Sequence, residues 1–245
     1  GIWILFYNRH LFYVHRRDFW LFIGSGMIGM TALSVFYNIS VTKGSLALSA
    51  VLLAMSPVFV LFLAAIFFHE PITRHKLTCV TLALIGCVLV SGVLESNGLS
   101  WSITGILCGI LASFFYAVYG IISKKVTQKG YHFLTITFYG TLFSGMTMLP
   151  FSNIHSLSSM IVSGQRTTFF ILIIHALVSS VLPYALYSLS MRYMEAGKAS
   201  ILASSEPAAA MLFGAVLYAE TPGILSICGL CFTITAVILL NYERN

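Results

Sequence analysis

Residues 45–70, SLALSAVLLAMSPVFVLFLAAIFFHE, contain no Lys, Arg or Asp and no Glu before the last position. About 18 consecutive apolar residues are enough to cross a bilayer as a helix, whereas a barrel strand needs only about 9–11 and alternates in character. This stretch is longer than a barrel strand and does not alternate, so its composition predicts a membrane-spanning helix over 45–68. Pro57 falls near the middle of that span. A proline inside a helix removes one backbone hydrogen bond, which membrane helices tolerate where neighbours satisfy the freed carbonyl. The span therefore carries a bendable point at mid-depth.

Working outward, seven further runs have the same character, at about 19–41, 77–94, 101–123, 131–151, 168–191, 199–219 and 223–241. The whole chain is 58% hydrophobic and only 8% charged, against about 25% charged residues in soluble domains. An all-α, polytopic helical membrane bundle of eight complete spans is the expected fold class.

The net charge of +6 does not point to nucleic acid, because its distribution follows the spans. If the chain crosses at every span, 8–18, 69–76, 124–130, 192–198 and 242–245 share one side. Of the 13 Lys and Arg residues, all but Lys43 and Arg166 lie there. Cytoplasmic loops are the ones enriched in Lys and Arg, so these segments and the C-terminus are expected in the cytoplasm of a cell bounded by an inner (plasma) membrane. Trp20 and Trp101 fall at span ends, where indoles anchor. The five cysteines, Cys79, Cys87, Cys108, Cys228 and Cys231, all fall inside spans and are expected as buried small hydrophobes. The Cys228 and Cys231 pair has CxxC spacing but lacks polar companions for a metal or redox centre. No metal and no cofactor is expected.

Sliding the sequence on itself by 150 residues aligns Tyr37 with Tyr187, Ser40 with Ser190, Leu52 with Leu202, Pro57 with Pro207, Ala65 with Ala215 and Glu70 with Glu220. Spans one to three thereby repeat as six to eight. Five spans separate each pair, so the copies are oppositely oriented. Inverted repeats are an architecture of secondary transporters, whose substrate site lies near the midplane between halves. Spans four and five would have counterparts before residue 1. The sequence is thus expected to be a fragment of a ten-span protein, with 1–95 the remainder of a first repeat and 101–245 the second.

The stretch YNISVTKGSLALSAVLLAMSPVFVLFLAAIFFHEPITRHKL (37–77), followed by TLALIGCVLVSG (81–92), is echoed by YALYSLSMRYMEAGKASILASSEPAAAMLFGAVLYAETPGIL (184–225) and ITAVILL (234–240). It resembles the two halves of the drug/metabolite transporter superfamily, EamA-like branch. The mid-span prolines Pro57 and Pro207 and the span-end acids Glu70 and Glu220 carry the resemblance, with small residues Ala47, Ala50, Gly197 and Ser200 before them. The resemblance implies a 5+5 inverted repeat, both termini in the cytoplasm, and transport of small organic solutes, usually export.

Polar side chains in lipid face the bundle interior or water, and they mark candidate solute-lining faces. Tyr37 and Asn38 in span one, Tyr116 in span four, and Tyr184 and Tyr187 in span six are the candidates. Tyrosine offers a ring face and a hydroxyl; the alternative role is helix-to-helix hydrogen bonding. Glu206 is the only one of seven acidic residues well inside a span. A carboxylate there costs about 2.5–3.5 kcal/mol on insertion scales, which makes it a functional candidate. It could exchange a proton or meet a substrate ammonium; alternatively, as a neutral acid it could hydrogen-bond a nearby Tyr or Ser. Pro57 and Pro207 are candidate hinges. The patterns Gly24, Gly26, Gly29 and Gly105-x-x-x-Gly109 suit close helix packing. His175 lies within span six and is read as a buried, satisfied histidine or a proton relay.

The nearest catalytic-looking cluster, His10, His15 and Asp18, matches no catalytic motif. A membrane-embedded enzyme or sensor is therefore the lesser reading. No Walker motif is present, so an ion gradient, exchange or facilitation would drive transport. The expected partners are a small-molecule solute and the lipid bilayer, with no nucleic acid, and a homodimer is compatible with the pattern.

Overall fold

The computed structural model describes residues 13–94, 102–151, 166–218 and 221–242. There is no β-strand among the described residues. The helices in chain order are α1 (Phe19–Lys43), α2 (Leu46–Leu53 with Ser56–Phe68), α3 (Arg74–Val90), α4 (Ile103–Gln128), α5 (Phe133–Met148), α6 (Thr168–Tyr193), α7 (Ala196–Ala203 with Glu206–Tyr218) and α8 (Ile224–Tyr242). Six of them are long and apolar enough to cross a membrane. The other two, α3 and α5, have 17 and 16 residues. The chain is a polytopic all-α membrane protein.

Each expected span coincides with a helix, and capping chemistry sets the boundaries. Helix α3 starts at Arg74, before the apolar run, because the Thr73 hydroxyl accepts a hydrogen bond from the Lys76 N–H at 3.2 Å. It ends where Gly92 takes φ +70°. Helix α4 runs on through Lys124 and Lys125 to Gln128, and Gly130 follows with φ +85°. Only glycine adopts such values without strain.

Two compact units divide the chain, Gly1–Thr31 with Ile122–Tyr193 and Ala32–Ile121 with Met194–Asn245. In the first, Phe22, Val126 and Ile136 form a fully buried core, and the Phe22 ring meets Tyr131 and Tyr139 edge-on at 5.2 and 5.5 Å. Gly26 lets α1 approach α5: a Cβ there would stand 2.6 Å from the Gly140 carbonyl oxygen. Two π-helical stretches interrupt the unit's helices, Gly24–Ala32 in α1 and Leu177–Val181 in α6. The second ends two residues before Pro183, whose missing N–H and bulky ring disturb the turn before it. The Leu182 N–H donates to the Leu177 carbonyl, five residues back.

In the second unit α3 and α8 run antiparallel. His75 Nε2 lies 2.8 Å from the Leu239 carbonyl oxygen near one end. Farther along, Gly86 faces Gly229 and Thr233 so closely that a Cβ on Gly86 would be 2.7 Å from the Gly229 oxygen and 2.3 Å from Thr233 Oγ1. Gly109 on α4 admits Leu52, and Gly105 sits against Lys43 and Gly44, which is the close packing its spacing suggests.

Both α2 and α7 are broken. A turn at Ala54–Met55 separates the halves of α2 and one at Ser204–Ser205 separates those of α7, positions that the 150-residue offset superimposes. Pro57 and Pro207 each stand just past such a turn, inside spans that run from Leu46 to Phe68 and from Ala196 to Leu217. Each is the second residue of a new half-helix, Ser56–Phe68 or Glu206–Tyr218. In a first turn the N–H has no helical acceptor, so proline costs nothing there. The expectation for the cysteines also needs correction. Cys79, Cys87 and Cys108 are buried, but Cys228 and Cys231 lie exposed on α8, because α8 buries the face carrying Gly229, Thr233, Ala236 and Leu240 instead.

Candidate functional site

The breaks of α2 and α7 meet at a cavity of about 800 Å³ within the second unit. Helix α2 contributes Ala47, Ala50, Ala54 and Ser56, and α7 contributes Ser204, Glu206, Pro207, Ala210 and Met211. Tyr37 from α1 and Tyr116 from α4 add the aromatic surface. The small side chains leave the volume open. The two half-helices that begin at Ser56 and Glu206 both start at this level, with the Val58 and Ala209 N–H groups bonded back across the turns to the Met55 and Ser205 carbonyls at 3.0 Å each.

Glu206 is the charged residue of the lining, and it is exposed. Neither ion pair among the described residues involves it, and it makes no hydrogen bond among them. The alternative of a neutral acid bonded to a tyrosine or serine is not what this geometry displays.

The remaining lining comes from Val90 and Ser91 at the end of α3 and from Thr221, Pro222, Gly223 and Ser226 at the start of α8. The cavity thus extends from the helix breaks toward that end of the unit. Polar contacts tie the opposite end. The Glu70 carboxylate accepts from the Ala196 and Gly197 N–H groups at 3.1 and 3.4 Å, holding the start of α7. Lys76, only 1% exposed, donates to Glu195 Oε2 at 2.5 Å and to the Pro71 carbonyl at 3.0 Å. Sequence reading marked Glu70 but missed Lys76 and Glu195. Both sit among loop charges, and nothing in the residue order reveals that one is buried.

Among the sequence candidates, Tyr37, Tyr116, Glu206 and Pro207 line the cavity. Asn38 does not: its side-chain amide donates to the Ser34 carbonyl of its own helix at 2.8 Å. Pro57 is buried beside the lining residue Ser56. Tyr184, half-buried, and Tyr187, buried, belong to α6 in the first unit, and the second unit's cavity is lined without them. His175 is exposed, not buried, as is every residue of α6 from Phe170 to Ser180.

Of the cluster His10, His15 and Asp18, His10 lies outside the described residues. Asp18 pairs with Lys129 and accepts from the Tyr131 hydroxyl at 2.8 Å. Lys129 first, and then the Tyr131 hydroxyl, hold the Asp18 carboxyl below its ordinary value. The cluster therefore ties the start of α1 to the α4–α5 turn. On that turn, burial and then the Arg192 charge lower the pKa of His132, whose Nδ1 accepts from the Leu134 N–H at 3.3 Å to cap α5.

The model of the EamA-like transporter family matches residues 1–92 and 103–242. A protein of Archaeoglobus fulgidus described as an uncharacterized transporter is 24% identical over 221 residues, spanning 89% of this chain and 76% of its own. YicL of Salmonella typhimurium, described as an uncharacterized inner membrane transporter, is 22% identical over 231 residues, 94% of this chain and 76% of its own. A probable amino-acid metabolite efflux pump of the same organism is 26% identical over 187 residues, 71% of this chain and 60% of its own. One solved crystal structure superimposes with a TM-score of 0.76 at 12% identity, over 97% of this chain and 80% of that one, which is a likeness of fold.

Proposed function

The chain belongs to the EamA-like transporter family, a multi-pass membrane transporter and not an enzyme, and from that premise we propose that it is a secondary transporter exporting small organic solutes across the inner membrane. The observation that carries the proposal is the meeting of two broken helices at one cavity. Transporters that alternate access bind solute where discontinuous helices expose backbone groups near mid-membrane. Here the breaks at 54–55 and 204–205 bring Ser56 and Glu206 to the same space.

The inverted repeat is part of the same proposal. The 150-residue offset, the matched breaks and the antiparallel α3–α8 pair support it. Its two copies would rock about the cavity, with Pro57 and Pro207 at the flexing points. The Glu70 and Lys76–Glu195 contacts would close one end while the other is open. The Lys- and Arg-rich loops support a cytoplasmic position for that tied end and for the C-terminus. The name of the Salmonella efflux pump supports the outward direction.

The test is transport in proteoliposomes of a metabolite panel, comparing the protein with Ala50→Trp, which fills the cavity without touching the tied end. Gradient-driven movement of at least one solute, lost in Ala50→Trp at equal protein level, is the expected result. Movement unaffected by the tryptophan would remove the cavity from the path.

A further inference from the structure

We propose that the cavity selects organic cations, with Glu206 as the counter-charge for an ammonium group and Tyr37 and Tyr116 as the surface for its apolar body. The proposal rests on the transporter reading above and adds the chemical class of the solute. Three observations lead to it. First, among the described residues no Lys, Arg or His lines the cavity, and Glu206 has no cationic partner there. Second, Glu206 is the first residue of a 13-residue half-helix, where the backbone dipole favours a negative side chain. The same carboxylate works against an anion seeking that helix end. Third, two tyrosines and alanines make up much of the remaining lining. Tyrosine faces attract cations, and alanines leave room for a hydrophobic body.

A carboxylate without a cationic partner in a membrane-embedded cavity is costly, and a helix start offsets only part of that cost. A bound ammonium ion relieves that cost, and a neutral or anionic ligand does not. Ser56, at the second helix start, offers a hydroxyl and backbone dipole but no full charge. The formal charges therefore favour a net cation over a zwitterion.

The test uses four probes with one body: radiolabelled 2-phenylethylammonium, phenylalanine, 2-phenylethanol and 3-phenylpropionate. Their equilibrium binding is measured on the purified full chain in detergent, with Glu206→Gln, Glu206→Asp and Ala50→Trp beside it. The cation should bind about tenfold or more tightly than the alcohol, as one charge pair in a partly dry site gives, and the anion weakest. Glu206→Gln should erase the preference, Glu206→Asp should keep most of it, and Ala50→Trp should weaken every probe. Equal binding of cation and alcohol, or a preference that survives Glu206→Gln, would overturn the proposal. So would phenylalanine binding as tightly as the cation.

The Asp variant covers the case in which Gln fails to fold. If no probe binds while the metabolite panel still moves and Ala50→Trp still stops it, the cation class is wrong and the transporter reading stands. If Ala50→Trp changes neither binding nor transport, the transporter reading of the cavity fails instead.

Discussion

At the scale of single residues, Glu206 and Asp18 show how far one acid's surroundings decide its use. Asp18 sits outside the membrane with Lys129 and the Tyr131 hydroxyl on it, and its pKa is lowered. A lowered carboxylate contributes its stabilisation fully above the ordinary value of 3.8 and loses it as pH falls through the lowered one. Acidification from about pH 6 to about pH 3 should therefore reduce hydrogen-exchange protection at residues 129–131, and Asp18→Asn should start from lower protection and lose less of it, keeping only the change that His132 protonation causes in both proteins. Equal pH profiles for the two proteins would show that the pair contributes nothing. Glu206 was legible from sequence because a lone acid in an apolar run has few readings. Asn38 was not, since the amide bonds to its own helix at Ser34, and sequence does not state which way a side chain turns. Lys76 was likewise hidden, its burial arising where the first turn of α3 meets Glu195, distant in sequence.

Among the elements, the closest packing is between α3 and α8. Gly86→Ala would place a methyl group 2.7 Å from a backbone oxygen, so the helices must separate, at a cost of about 1–3 kcal/mol. Gly145→Ala, with nothing within 4 Å, serves as the control. Thermal unfolding in detergent should show a lower midpoint for the first and an equal or slightly higher one for the second, since alanine is the better helix former. At the tied end, Glu195→Ala strands the buried Lys76 ammonium. The loss should be about 2 kcal/mol, below that of a fully enclosed pair because Glu195 is 42% exposed. Adding Lys76→Met should restore most of it, and a double variant as unstable as the single one would contradict the pairing. The spans were readable because bilayer thickness dictates their length. The breaks and the π-helical stretches were not. Apolar composition is the same on both sides of a break, and Pro57 fits an interior kink or a first turn equally well until backbone geometry decides. Gly86 and Gly229 each stand without a GxxxG partner in their own helix, so only the fold reveals them as a pair.

For the whole molecule, the division of charge gives an orientation that can be checked by labelling. In a cysteine-free background, a cysteine at position 127 should resist an impermeant thiol reagent added to intact cells, and one at position 94 should react. The reverse pattern would invert the topology. The family relation, the matched helix breaks and the cavity converge on one claim, that solute passes through the space between Ala50 and Ala210. Single cysteines at those two positions, labelled in proteoliposomes with and without a transported solute, test it most directly. The predicted result is slower labelling at 50 and 210 in the presence of solute, with no change at the control position 94. Equal labelling rates at 50 and 210 with and without a solute that is demonstrably transported would contradict the claim.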